Sequence, residues 1–190
     1  MSEKIDVSGL VFTKEYVQKL YEYKGSPEEL RDTLYPIFAS QYPNYKGFPK
    51  HNIDPFTAIA VIHRGSKPGF NPKKIAICEQ LKTIFNINSD VPTRFDSIPT
   101  FDTRQTSFTT ENEKEKNIDV LWESFRTFCE YSKGKTNSES FIESFNRCYK
   151  LGRVGRSRLT TVLYWIDYRF YISLDSPNEN YLKKKGNNTT

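Results

Sequence analysis

A chain of 190 residues with 36% hydrophobic and 15% aromatic residues can bury the core of one domain, while its apolar runs fall short of the roughly 20 residues of a membrane-crossing helix. Two histidines and three widely spaced cysteines (Cys78, Cys129, Cys148) argue against a disulfide framework and a zinc site, so neither metal nor cofactor is expected. The net charge of +5 is concentrated near the C-terminus: Arg147 to Lys185 carries nine Lys or Arg against three acids, and the remainder is close to balance. That asymmetry points to one side facing a polyanion. The charged start MSEKIDVSGL lacks an apolar signal core, and a cytoplasmic location without membrane contact is expected.

In chain order, TKEYVQKLYEY (13–23) spaces Tyr16, Val17, Leu20 and Tyr21 as one helical face. SPEELRDTLYPIF (26–38) opens with Ser26 as N-cap, Pro27 in the first turn and Glu29 three residues after the cap; Pro36 is expected to bend or end this helix. YPNYKGFPKHN (42–52) is a loop by its Pro, Gly and Asn content. Asp54-Pro55 starts a helix running through DPFTAIAVIH and closed by Gly65, and Pro72 starts another. Residues 87–112 mix prolines, β-branched residues and Ser/Thr without a helical period, which predicts extended loop with short strands at most, and the one candidate sub-boundary of the domain. NIDVLWESFRTFCEY (117–131) and ESFIESFNRCYKL (139–151) are helices, the second ending at Gly152. FYISLDSPNENYL (170–182) is an extended piece followed by a capped helical turn at Ser176-Pro177, and 183–190 is a basic disordered tail. The expectation is a single domain over 1–190, mainly α with a small amount of β.

SKGKT (132–136) imitates a phosphate-binding loop, but the spacing requires a glycine at position 129, which is Cys129, so no NTPase site is present. KLGRVGRSRLT (150–160) is the stronger motif. Gly152 fits a left-handed helix end, and Ser157 fits the cap of a following helix whose first-turn N–H groups attract an anion. This element resembles a helix-hairpin-helix turn, a grip on the DNA backbone. Leu151, Val154 and Gly155 match that pattern, with Gly152 in place of its proline and Arg153 in place of its first glycine. Lys150, Arg153, Gly155, Arg156, Ser157 and Arg158 are therefore the candidate nucleic-acid-binding residues, against the plainer reading of an αα turn with solvated arginines. His63, Arg64, Trp165 and Arg169 are secondary candidates: the first two close an apolar helix, and Trp165 offers a ring for base stacking or for the core.

Four segments in order, DPFTAIAVIHRG (54–65), FDSIPTFDTRQTSF (95–108), NIDVLWESF (117–125) and LTTVLYWIDYRFYISLDSPNENYL (159–182), resemble the N-terminal, pre-motor region of McrB-like AAA+ proteins of modification-dependent restriction systems. The chain departs from that pattern at His63, Ser97, Ser107-Phe108 and Tyr168. The resemblance implies a non-catalytic defence-system domain that recognises DNA, modified or not, and works with an AAA+ motor and a nuclease subunit. Two other readings stay open. One is a helical protein–protein interaction or assembly module. The other is a base-excision, glycosylase-like enzyme, for which Asp175 is the acid to test.

Overall fold

The computed structural model describes residues 6–45, 47–65, 67–95, 98–102, 106–109, 115–152 and 154–186. The fold is mainly α, as the sequence implies, built from α1 (Ser8–Glu22), α2 (Pro27–Gln41), α3 (Pro55–Ala60), α4 (Asn71–Phe85), α5 (Glu115–Tyr131), α6 (Ser138–Tyr149), α7 (Arg156–Ile166) and α8 (Ser176–Gly186). The expected β content reduces, among the described residues, to one isolated parallel bridge between Arg64 and Phe101.

The local signals act as their chemistry dictates. Ser26 and Glu29 form a reciprocal capping box, with the Ser26 hydroxyl accepting from the Glu29 N–H and the Glu29 carboxylate accepting from the Ser26 N–H. Pro36 does not end α2, which continues to Gln41 because Leu30, Leu34, Ile37 and Phe38 anchor one face in the core on both sides of the proline. Asp54 caps α3 by accepting from the Thr57 N–H at 2.8 Å.

The short helix α3 is buried along its whole length and is flanked by α1, α5 and α7. Around it pack Phe12 and Tyr16 of α1, Phe125 and Phe128 of α5, and Leu159, Val162 and Trp165 of α7, all without solvent exposure. Phe56 lies within 6.3 Å of the rings of Phe108, Phe125 and Phe128, so aromatic packing supplies much of the core.

Two boundaries differ from the sequence expectation. The third helix ends at Ala60 rather than running to His63, because the chain turns there and enters the bridge: Phe101 N–H donates to the His63 carbonyl and Gly65 N–H to the Phe101 carbonyl. Lys183, Lys184 and Lys185, expected in a disordered tail, form the last turn of α8, where cations suit the negative end of the helix dipole. No helix among the described residues is long and apolar enough to cross a membrane.

Candidate nucleic-acid interface

The turn between α6 and α7 carries the principal candidates. α6 ends with Lys150 as its C-cap in right-handed conformation, and positive φ among the described residues is confined to Gly65, Asn86 and Gly134. The left-handed helix end expected at Gly152 is therefore not formed. Instead Leu151 N–H donates to the Cys148 carbonyl and Val154 N–H to the Leu151 carbonyl, which tightens the turn, and the buried Val154 pins it to the core. Gly155, rather than Ser157, is the N-cap of α7. Ser157 lies one residue inside the helix and is exposed. Since glycine offers no capping oxygen, the first-turn N–H groups of α7 have no side-chain cap, and no acid occupies that turn.

The cations divide. Lys150, at the end of α6, and Arg156, the first residue of α7, are both exposed. Arg156 pairs with Glu179 of α8 through its Nη2, and at 60% side-chain exposure such a pair contributes about 0–1 kcal/mol, little enough for a competing anion to displace. Arg153 lies outside the described residues. Arg158 turns inward: its Nη2 donates to the Ser107 carbonyl at 2.9 Å, and its guanidinium sits 4.1 Å from the Phe108 ring centroid and 5.5 Å from that of Phe101. Its positive charge also acts on Asp54, whose Oδ2 accepts from the hydroxyls of Thr57 and Thr109. Burial nevertheless raises the Asp54 pKa. Arg158 therefore ties α7 to the 106–109 segment, and its placement corrects the expectation of a phosphate contact.

The secondary candidates do not gather at this site. Trp165 has no exposed surface, donates its Nε1–H to the Pro99 carbonyl at 3.1 Å, and packs against His63 at 4.5 Å and Phe101 at 4.7 Å between centroids. A fully buried ring offers no face to a base, so its role is core. Arg169 lies beyond the opposite end of α7, an 11-residue helix roughly 16 Å long, and approaches Asp167 at 3.9 Å. His63 is fully buried, and its pKa is held well below the usual imidazole range by that burial and by the charge of the buried Lys74. Arg64 is 9% exposed, its guanidinium 3.6 Å from the Tyr45 ring centroid and 4.6 Å from that of Tyr42, with Nε and Nη1 buried and without hydrogen-bond partners among the described residues.

Asp175, the acid considered for base excision, caps α8 by accepting from the Asn178 N–H at 3.0 Å. Burial raises the thiol pKa values of Cys129 and Cys148 to about 12 and about 11, which keeps both sulfurs protonated and unreactive at neutral pH. Among the described residues no cluster of His, Cys, Asp or Glu could hold a metal ion.

Sequence reasoning missed the Tyr42–Arg64–Tyr45 stack. The density of rings in YPNYKGFPK, unusual for a loop, was the available signal. It also missed the buried polar knot of Asp54, Thr57 and Thr109, which joins residues 55 positions apart.

Fold and site together define a small, mainly helical domain with a basic helix start that lacks a side-chain cap. The chain belongs to the DUF8425 family, described as a domain of unknown function, whose profile matches residues 10–188. No curated protein and no solved structure matches it.

Proposed function

We propose that this chain is a nucleic-acid-binding specificity module, with DNA its target and no catalysis of its own. It acts in the cytoplasm, within a restriction or defence system of the McrB-like kind, beside an AAA+ motor and a nuclease subunit. The observation that carries the binding is the start of α7. First-turn N–H groups without a side-chain cap, no acid in that turn, and the exposed Lys150 and Arg156 together favour a backbone phosphate. The exposed Lys183, Lys184 and Lys185 add positive potential on α8, which the Arg156–Glu179 pair brings to this helix start.

The test is duplex binding by fluorescence anisotropy at several salt concentrations between about 50 and 200 mM, with and without methylated cytosine or adenine. Each phosphate neutralised contributes roughly −0.9 to the slope of log K against log salt. Lys150→Ala and Arg156→Ala are each expected to flatten that slope by about one unit. A double variant with unchanged affinity and slope refutes the proposal.

A second reading, an assembly module, is favoured by the apolar surface of Ile172, Tyr181 and Leu182, exposed by 55%, 60% and 43% on and before α8. A light-scattering mass above the monomer, with no affinity for duplex, would select it.

A further inference from the structure

A cavity of about 450 Å³ lies between α2 and the loop that follows it. Its walls include Arg31 and Tyr35 from α2 and Tyr45, Phe48, Pro49 and Lys50 from the loop. The volume falls within the roughly 300–1,000 Å³ of small-molecule sites. Three rings and two cations line it, and no carboxylate does among the described residues. The combination suits a ligand that is planar at one end and anionic at the other.

The walls are fixed before any ligand arrives. The Tyr45 hydroxyl is bonded to Thr106 Oγ1 at 2.6 Å. Arg64, which does not line the cavity, stacks 3.6 Å from the Tyr45 ring centroid. One face of Tyr45 is thereby covered by a guanidinium, and the ring cannot swing without breaking both contacts. Arg31 is held by its Nε–H donating to the Pro49 carbonyl at 3.2 Å and its Nη1 pairing with Asp32 at 2.7 Å, with the guanidinium 4.6 Å from the Tyr35 centroid. Phe48 is buried, 5.2 Å from Phe38 and 5.7 Å from Tyr35. Rigid aromatic surface lowers the ordering cost of binding.

We propose that this cavity binds a nucleotide unit, its base stacked on the Tyr45 face opposite Arg64 and its phosphate held by Arg31 and Lys50. Stacking on an aromatic ring is tolerant of base identity, and the guanidinium and ammonium supply charge-assisted bonds to phosphate oxygens. The same chemistry is offered by a free mononucleotide and by one unit of a single strand. None of the residues lining it belongs to α7.

The test titrates the full chain with AMP, adenosine, inorganic phosphate and a short oligodeoxyadenylate, followed by NMR shifts of backbone amides and tyrosine rings. AMP is expected to shift residues 35, 45, 48 and 50 and to bind at least tenfold more tightly than adenosine or phosphate alone. The exposed Lys50→Glu is expected to weaken AMP about tenfold, and Tyr45→Leu ten- to hundredfold, while Tyr45→Phe keeps most of the affinity. Should Tyr45→Leu fail to fold, Lys50→Glu still decides. Tighter binding of the oligonucleotide, lost in Lys50→Glu, assigns the site to a strand; AMP binding alone assigns it to a free nucleotide. Phosphate binding as tight as AMP, AMP binding indifferent to Lys50→Glu, or shifts confined to another surface would overturn the proposal. Duplex binding indifferent to Lys150→Ala and Arg156→Ala overturns the α7 interface alone, since AMP binding is expected unchanged in that double variant.

Discussion

Acidification is expected to destabilise this fold through His63. The Thr13 hydroxyl donates to the Gly9 carbonyl at 2.8 Å, so it accepts from His63 Nε2–H at 2.9 Å, and the imidazole is neutral with its hydrogen on Nε2. A second proton would go to Nδ1, which is buried with no hydrogen-bond partner among the described residues, in a ring packed on Trp165 and near the charge of Lys74. Burial first, and Lys74 second, therefore keep the folded pKa well below 6.5, while the unfolded chain titrates near 6.5. A depressed histidine pKa means the unfolded state binds the extra proton, so stability falls as pH drops below 6.5. The limiting slope is about 1.4 kcal/mol per pH unit, so the loss between pH 6.5 and 5 is at most about 2 kcal/mol. Asp54 acts in the opposite sense at lower pH, because burial raises its folded pKa, and it does so equally in a variant that lacks His63. The assay is urea unfolding of the wild type and His63→Asn at pH 7, 6 and 5. The wild type is expected to lose more than the variant across that range, by up to about 2 kcal/mol. Parallel pH dependences in the two proteins would refute the buried, neutral imidazole.

Two further outcomes test the fold. Gly65 has φ +74°, and a Cβ there would approach the Phe70 ring to 2.8 Å, so Gly65→Ala is expected to cost more than about 1 kcal/mol in chemical denaturation. Ser26→Ala removes one half of the capping box and is expected to cost about 1 kcal/mol, whereas Ser157→Ala, inside α7 and exposed, is expected to stay within about 0.5 kcal/mol; equal losses would contradict the assignment of Gly155 as the cap.

The legible parts of this fold are those whose cause lies within a few residues. The Ser26–Glu29 box, the Asp54-Pro55 start and the helix over 117–131 each depend on spacing along one helix, and each is present. The candidate site was legible only in part, because its side chains are aimed by distant segments. Arg158 reads as one more cation in a basic run, yet the Ser107 carbonyl, 51 positions away, draws it inward. His63 and Arg64 read as a helix end, but the bridge to Phe101 turns them into the interior. Lys183 to Lys185 carry no apolar period, so their continuation of α8 had no hydrophobic signal. The start of α7 is legible as a glycine-flanked turn before an apolar run, with the cap at Gly155, two residues before the Ser157 that the sequence suggests.

The central claim, that the start of α7 grips nucleic-acid phosphate, is tested most directly by mapping backbone amide shifts on titration with a short DNA duplex. The largest shifts are expected at Gly155, Arg156, Ser157 and Arg158, diminishing as salt is raised. Shifts confined to other surfaces, or no saturable shift at low salt, would contradict it.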